Sequence, residues 1–216
     1  MIIYSPITGE VLTSSIKFEP RSCFIMTQLG GEITEELQEI RLVITNFLKS
    51  INYNEVDASS YVTGRDFLEK IWQKIIAVPV GIAILTSDMS LTTVANIFYE
   101  LGLLDALGKE SIVIKSKRFK IPSDFVRTEY ISFDKDFETN IKKFFENVFE
   151  REKHYSLMSE LMEKDIVLSI DYLKRAYLIS GHLKYKIEAI RLFNENKKYI
   201  DNQSRFMIGN FLKSAF

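Results

Sequence analysis

The sequence predicts an α/β fold: a doubly wound, mostly parallel five-stranded sheet with an N-terminal β-hairpin and a C-terminal α-helical appendage. Three observations carry this expectation. Short continuous apolar runs alternate with segments whose apolar residues recur at i, i+3, i+4 and i+7. The links between them are short, as right-handed parallel crossovers require. From about Arg151 the strand pattern stops, and only helical spacing continues. The expected division is a hairpin extension over 1–20, an α/β domain over 21–150 and a helical region over 151–216.

Taken in order, Ile2–Ser5 and Val11–Phe18 flank Pro6-Ile7-Thr8-Gly9, whose Pro and Gly form turns. Ser22–Thr27 is an unbroken apolar run of the kind a buried parallel strand shows. After Gln28-Leu29-Gly30-Gly31, a helix is expected from about Thr34 to Lys49 on the stripe Leu37, Ile40, Arg41, Ile44, Phe47 and Leu48. Tyr53–Val56 is a second strand, Asp57–Gly64 a polar loop and Asp66–Ala77 a second helix. Val80–Leu85 is the third strand. Thr92–Leu107 is the third helix, stopped by Gly108 in the expected C-terminal position. Ser111–Ile114 and Glu129–Phe133 supply two more strands, and Phe137–Phe149 a closing helix. In the tail, Leu157, Met158, Leu161, Met162, Ile166, Ile170, Leu173 and Tyr177 keep helical spacing up to Gly181. Helices over about Leu183–Lys197 and Gln203–Ser214 follow. Such wide apolar stripes must be covered, by the α/β domain or by another subunit.

The chain has 216 residues, 46% of them apolar, and a net charge of −1. It can bury a core, and its charge draws it to neither nucleic acid nor membrane. A single cysteine, Cys23, leaves no internal disulfide and fits a reducing, cytoplasmic setting. The start, Met1 to Pro6, lacks a signal-peptide pattern, and no apolar run approaches the roughly 20 residues that span a bilayer. His154 and His182 have no Cys or carboxylate at metal-ligand spacing around them, so neither metal nor Ser-His-Asp chemistry is expected, and no cofactor is expected.

Glu100 is the candidate catalytic residue. It lies about 100° around the third helix from the middle of the stripe formed by Val94, Ile97, Phe98, Leu101 and Leu104. That puts a carboxylate at the border of core and crevice, just past the carboxyl end of a strand, where open sheets bind ligands. Losing water raises its pKa and strengthens its field on a cationic centre such as a ribosyl carbon. The competing reading is a flank glutamate paired with a lysine. Thr27 and Gln28 face the same crevice and are candidates for base or ribose contacts, with Asn96 beside Glu100 on the helix. Gly30 and Gly31 stand where backbone N–H groups can meet an anion, or simply form a tight turn. Arg65 is placed for a phosphate or carboxylate and Asp57 for ribose hydroxyls; alternatively Asp66 or Thr63 caps the helix and Arg65 is solvated. Asp88 follows the third strand as a hydroxyl or base ligand, or as an ordinary loop residue.

Several segments resemble bacterial TIR-like and nucleoside 2-deoxyribosyltransferase-like proteins. They are Cys23-Phe24-Ile25-Met26 with its glycine loop, Asp66 to Ile75, Asn96-Ile97-Phe98-Tyr99-Glu100-Leu101-Gly102, Ala106 to Lys109 with Ile112-Val113-Ile114, and Ile121 to Phe125 with Tyr130-Ile131. The resemblance covers about Arg21 to Phe149 and implies a flavodoxin-like sheet. It also implies cleavage or transfer of N-glycosidic bonds of nucleosides, nucleotides or NAD, with the glutamate before Leu-Gly, here Glu100, as catalyst. NAD or a nucleotide would then be substrate rather than cofactor. Many TIR-like members act in antiphage defence, and the resemblance implies that setting here; the apolar stripes of the C-terminal helices, outside the resemblance, suit a homo-oligomer or a defence partner. Two departures stand out. Met26-Thr27-Gln28-Leu29-Gly30 replaces the usual Met-Pro-Phe-Gly opening, and Thr86 occupies the point of an aspartate, with Asp88 further along. The altered loops leave a second class open: a nucleotide-sensing or scaffolding module that binds without cleaving.

Overall fold

The computed structural model of the chain describes residues 9–10, 16–57, 65–120, 130–162 and 164–213, without the side chains of 65–67. The expected N-terminal hairpin lies mostly outside these residues. Where described, residues 16–19 form no strand, yet Ile16 and Phe18 are buried.

Five parallel strands, β1 (Ser22–Met26), β2 (Asn54–Val56), β3 (Val80–Leu85), β4 (Glu110–Lys115) and β5 (Tyr130–Ser132), form one sheet in the order β2-β1-β3-β4-β5. Helices α1 (Glu35–Ser50), α2 (Arg65–Ala77), α3 (Leu91–Ala106) and α4 (Phe137–Leu161) alternate with the strands, and α5 (Ile166–Ser180), α6 (Leu183–Asn196) and α7 (Asn202–Lys213) follow. This is a doubly wound α/β fold with C-terminal helices. Every residue of β1 and of β3 is buried, because both strands are covered on two faces. The order reverses direction between β1 and β3, so their carboxyl ends diverge and leave a crevice.

Local chemistry sets the helix ends. Thr34 caps α1 by accepting from the Leu37 N–H, and Glu35 and Glu36 in the first turn complement the helix dipole. Ser90 caps α3 by accepting from the Thr93 N–H at 3.1 Å. Gly108 ends α3 at φ +63°, a left-handed conformation that a residue with a Cβ resists. At Gly81 on β3, an added Cβ would collide with Leu104 Cδ1 and lie 3.0 Å from Met26 Cε, so α3 packs directly on the strand. Gly81→Ala is therefore expected to lose about 1–3 kcal/mol of stability in urea unfolding. An unchanged midpoint would mean that α3 is not seated this way.

Two boundaries differ from the sequence expectation. The closing helix does not stop near Phe149: α4 runs on through residue 150 to Leu161. The one long tail helix expected through Leu157 and Tyr177 is in fact two, α4 and α5. Asp165 makes the break, its carboxylate accepting from the Leu168 N–H at 3.1 Å and starting a new helix. Helix α5 then packs antiparallel to α4 and reaches the amino ends of the strands. There the Arg21 N–H donates to Leu178 O at 2.8 Å, and the Tyr53 hydroxyl donates to Ile179 O at 2.6 Å. Part of the apolar stripes of the tail is thus covered within the chain, with Ile170, Leu173, Tyr177 and Phe211 in the common core, while Leu157, Leu161, Leu183 and Ile187 stay exposed. No helix among the described residues is long and apolar enough to cross a membrane.

Candidate functional site

A cavity of about 280 Å³ lies at the reversal point, between the loop after β1, the first turns of α2 and the middle of α3. It is near the lower end of ordinary small-molecule pockets, about 300–1,000 Å³. Its lining brings together five of the residues singled out from the sequence: Thr27, Gln28, Gly30, Asn96 and Glu100.

Helical geometry explains why Glu100 faces this space. Ile97, Leu101 and Leu104 point into the core of α3 and are buried. Glu100 lies between that face and solvent, with Thr93, Asn96 and Leu103 on the same side. Among the described residues it forms neither an ion pair nor a hydrogen bond. Burial alone pushes its carboxyl from the ordinary 4.5 up to about 7. No described lysine or arginine lines the cavity.

Thr27 is the second polar group built into the pocket. It follows the last residue of β1 and is 7% exposed, and its Oγ1 has no hydrogen-bond partner. A buried hydroxyl left unpaired costs free energy unless a ligand or water completes it. Gln28 is held in place, its amide donating to Gly30 O at 2.8 Å and Glu32 O at 3.2 Å, which fastens the loop over α1. The rest of the wall is apolar. Leu68 and Ile71 come from α2, Tyr99 and Leu103 from α3, and Leu29 from the loop. Leu29, Leu68 and Tyr99 remain 38%, 45% and 49% exposed and form a greasy rim.

Three other sequence candidates, Gly31, Asp57 and Asp88, are not among the described residues that line this cavity. Gly31, at φ +79°, turns the chain toward α1, whose N-terminus already holds its own cap and two acids. An anion there would meet Glu35 and Glu36. Asp57 pairs with Arg41 of α1 at 3.5 Å. Asp88 is exposed after β3. Its slight burial would raise its pKa, but the polar Thr86 and Thr34 side chains near it outweigh this and lower it. The side chain of Arg65 lies outside the described residues. Sequence reasoning missed Leu29, Leu68, Ile71 and Tyr99, because apolar residues at helical spacing signal core rather than cavity wall.

Cys23 is fully buried in β1, and burial first, then the Glu55 carboxylate, pushes its thiol pKa well above the usual range, so it is inert. His182 contacts Glu152 at 2.9 Å, far from this cavity in the fold.

The raised pKa of Glu100 carries a stability consequence. Between its unfolded value near 4.5 and its folded value near 7, the native state keeps a proton that the unfolded chain has released. Stability therefore falls as pH rises through that window. Glu100→Gln has no such slope. From pH 5 to pH 8 the variant is expected to gain on the wild type by at most about 3 kcal/mol, less whatever solvent screening removes. Urea curves at the two pH values measure this, and equal pH dependence in both proteins would show that Glu100 is hydrated like a surface acid.

No protein-family model matches the chain, nor does any curated protein.

Proposed function

We propose that the protein cleaves the N-glycosidic bond of a nucleoside- or nucleotide-type substrate, NAD among them, with Glu100 as the catalytic carboxylate. The observation that carries this reading is a half-buried carboxylate, with no ion pair or hydrogen bond among the described residues, in a small pocket at the switch point between β1 and β3. The resemblance of the Asn96–Gly102 segment to TIR-like and nucleoside deoxyribosyltransferase-like proteins supports it, and with it a role as an antiphage-defence effector.

In this scheme the base stacks against the apolar wall of Leu68, Tyr99 and Leu103, and Thr27 and Asn96 hydrogen-bond the sugar. The C1–N bond breaks with its electron pair leaving on the base, and positive charge develops on C1 and the ring oxygen. The Glu100 carboxylate stabilises that charge or closes on it as an ester. Water then attacks C1, giving its proton to the departed base or to solvent and restoring the free carboxylate. An acceptor base in place of water would give transfer instead.

The test is release of free base from NAD and from deoxynucleosides, followed by liquid chromatography. Because the carboxylate must be ionised in the free enzyme, kcat/KM is expected to rise with pH and level off above about 7. A rate that is flat from pH 5.5 to 8.5 would remove Glu100 from that role.

A second reading, a binding module that senses a nucleotide without cleaving it, is favoured by one feature. Asp88, the first acid after β3, is exposed and does not line the cavity. Intact ligand recovered after incubation would support it. Self-association, or docking of a defence partner, through the exposed apolar residues of the tail belongs to either reading; Leu183 and Ile187 lie one turn apart on α6 at 57% and 66% exposure.

A further inference from the structure

The end of the sheet opposite Glu100 holds a second cavity, where α4 and α5 close over the amino ends of β3 and β4. It measures about 40 Å³ and is walled by the rings of Phe18 and Tyr155 and by Lys109, Asp171, Lys174 and Arg175. Their charges do not balance. Asp171, 6% exposed, is the one carboxylate shared by two cations: it accepts from Lys174 Nζ at 2.6 Å and from Arg175 Nε at 3.0 Å. Lys109 is a third basic group, and among the described residues its Nζ donates only to neutral carbonyls, Ile76 O at 2.9 Å and Val78 O at 2.7 Å. The other acid of the wall, Glu110, pairs with Arg151 at 3.2 Å.

Two cations therefore share one carboxylate in a poorly hydrated space, with the Lys109 amine lining the same cavity and making no ion pair among the described residues, and uncompensated buried charge is costly. The strain registers on Lys109. Burial, and then repulsion from Lys174 and Arg175, pulls its pKa down to about 7, with Asp171 pulling weakly the other way. Donor capacity also remains, since an ammonium has three N–H groups; Lys109 uses two of them and Lys174 one. Size decides what could use it. A single water needs about 10–15 Å³ of such space, so the cavity holds a few waters or one small anion, not a base or sugar.

We infer that this cavity is a binding site for a small oxyanion of the phosphate or carboxylate class, held by Lys109, Lys174 and Arg175 at the junction of the α/β domain and the C-terminal helices. Bound there, the anion completes the charge balance and ties the turn between α3 and β4 to α5. That junction already rests on the Arg175 hydrogen bond to Gly108 O at 3.2 Å. The ligand binds the native state alone, so it stabilises the fold by mass action. The site stands independently of the chemistry proposed for Glu100.

The test is thermal unfolding of the full chain in rising inorganic phosphate, with ionic strength held constant by sodium chloride. The expected result is a saturable rise in Tm that chloride alone does not give. Lys174→Gln should shift the half-effect concentration upward by about tenfold or more, the loss of one charge-assisted hydrogen bond. Lys174→Arg, which keeps the charge, should retain most of the response. Glu100→Gln should leave it unchanged, which separates this site from the cavity at the other end of the sheet. A response equal in chloride, or equal in wild type and Lys174→Gln, would overturn the inference. Should Lys174→Gln fail to fold, calorimetric titration of the wild type with phosphate decides: no saturable heat means no site.

Discussion

Glu100→Gln is expected to lower base release by about 10³-fold while leaving ligand affinity within a few-fold. The substitution keeps the shape of the side chain and removes only its negative charge. Glu100 has no hydrogen bond or ion pair among the described residues, so nothing structural is lost with the charge. The size of the effect follows from the environment: a carboxylate facing a water-poor pocket acts on developing positive charge with little dielectric screening. Glu100→Asp should fall between the two, since it keeps the charge but withdraws it by one methylene. Binding by equilibrium dialysis and turnover by product analysis separate the effects. Loss of binding together with loss of turnover would assign Glu100 to holding the ligand rather than to chemistry.

Removing α5 to α7, by ending the chain at Met162, is expected to abolish cooperative folding. These helices are not an ornament on a finished domain. Ile170, Leu173, Ala176, Tyr177, Leu178 and Ile179 are all buried, several of them against the amino ends of the strands. Burial of one large apolar side chain contributes about 1.5–3 kcal/mol, and a whole domain holds only about 5–15 kcal/mol of net stability. The polar joints would fail as well. Tyr53 would lose its acceptor at Ile179 O, and burial, its first cause, already holds its phenol above the ordinary range. Arg21, held at φ 52°, donates to Asn52 O at 2.8 Å, to Ile51 O and to Ser180 O at 3.4 Å. It thus pins the start of β1 to the end of α5. Circular dichroism and size-exclusion chromatography of the truncated chain measure the outcome, and a monomer that melts sharply would show that the α/β part stands alone.

The central strands β1 and β3 were legible because buried parallel strands leave an unbroken apolar run that little else produces, as in Val80–Leu85, all six residues of which are buried. Glu100 was legible for a related reason: its angle from the stripe of α3 follows from spacing alone, and the cavity lies on that side. The break between α4 and α5 was not legible. Leu161, Met162 and Ile166 keep apolar spacing across it, and Asp165 looks like any surface acid until its cap to Leu168 is seen. The fate of Asp57 depended on which helix lies beside β2, and Arg41 of α1 is 16 residues earlier in the chain. The cation cluster was still less accessible, since Arg175 reaches Gly108 across 67 residues of sequence. Local signals reach as far as one helix or strand; charge pairing between them needs the fold.

The most direct measurement is mass spectrometry of a mixed pool of nucleosides, nucleotides and NAD after exposure to the wild-type chain and to Glu100→Gln. At least one parent compound is expected to be replaced, in equal amounts, by free base and its sugar-containing partner, with the wild type only. A pool left intact by the wild type under every condition in which it binds a component, or one consumed equally by both proteins, would contradict it.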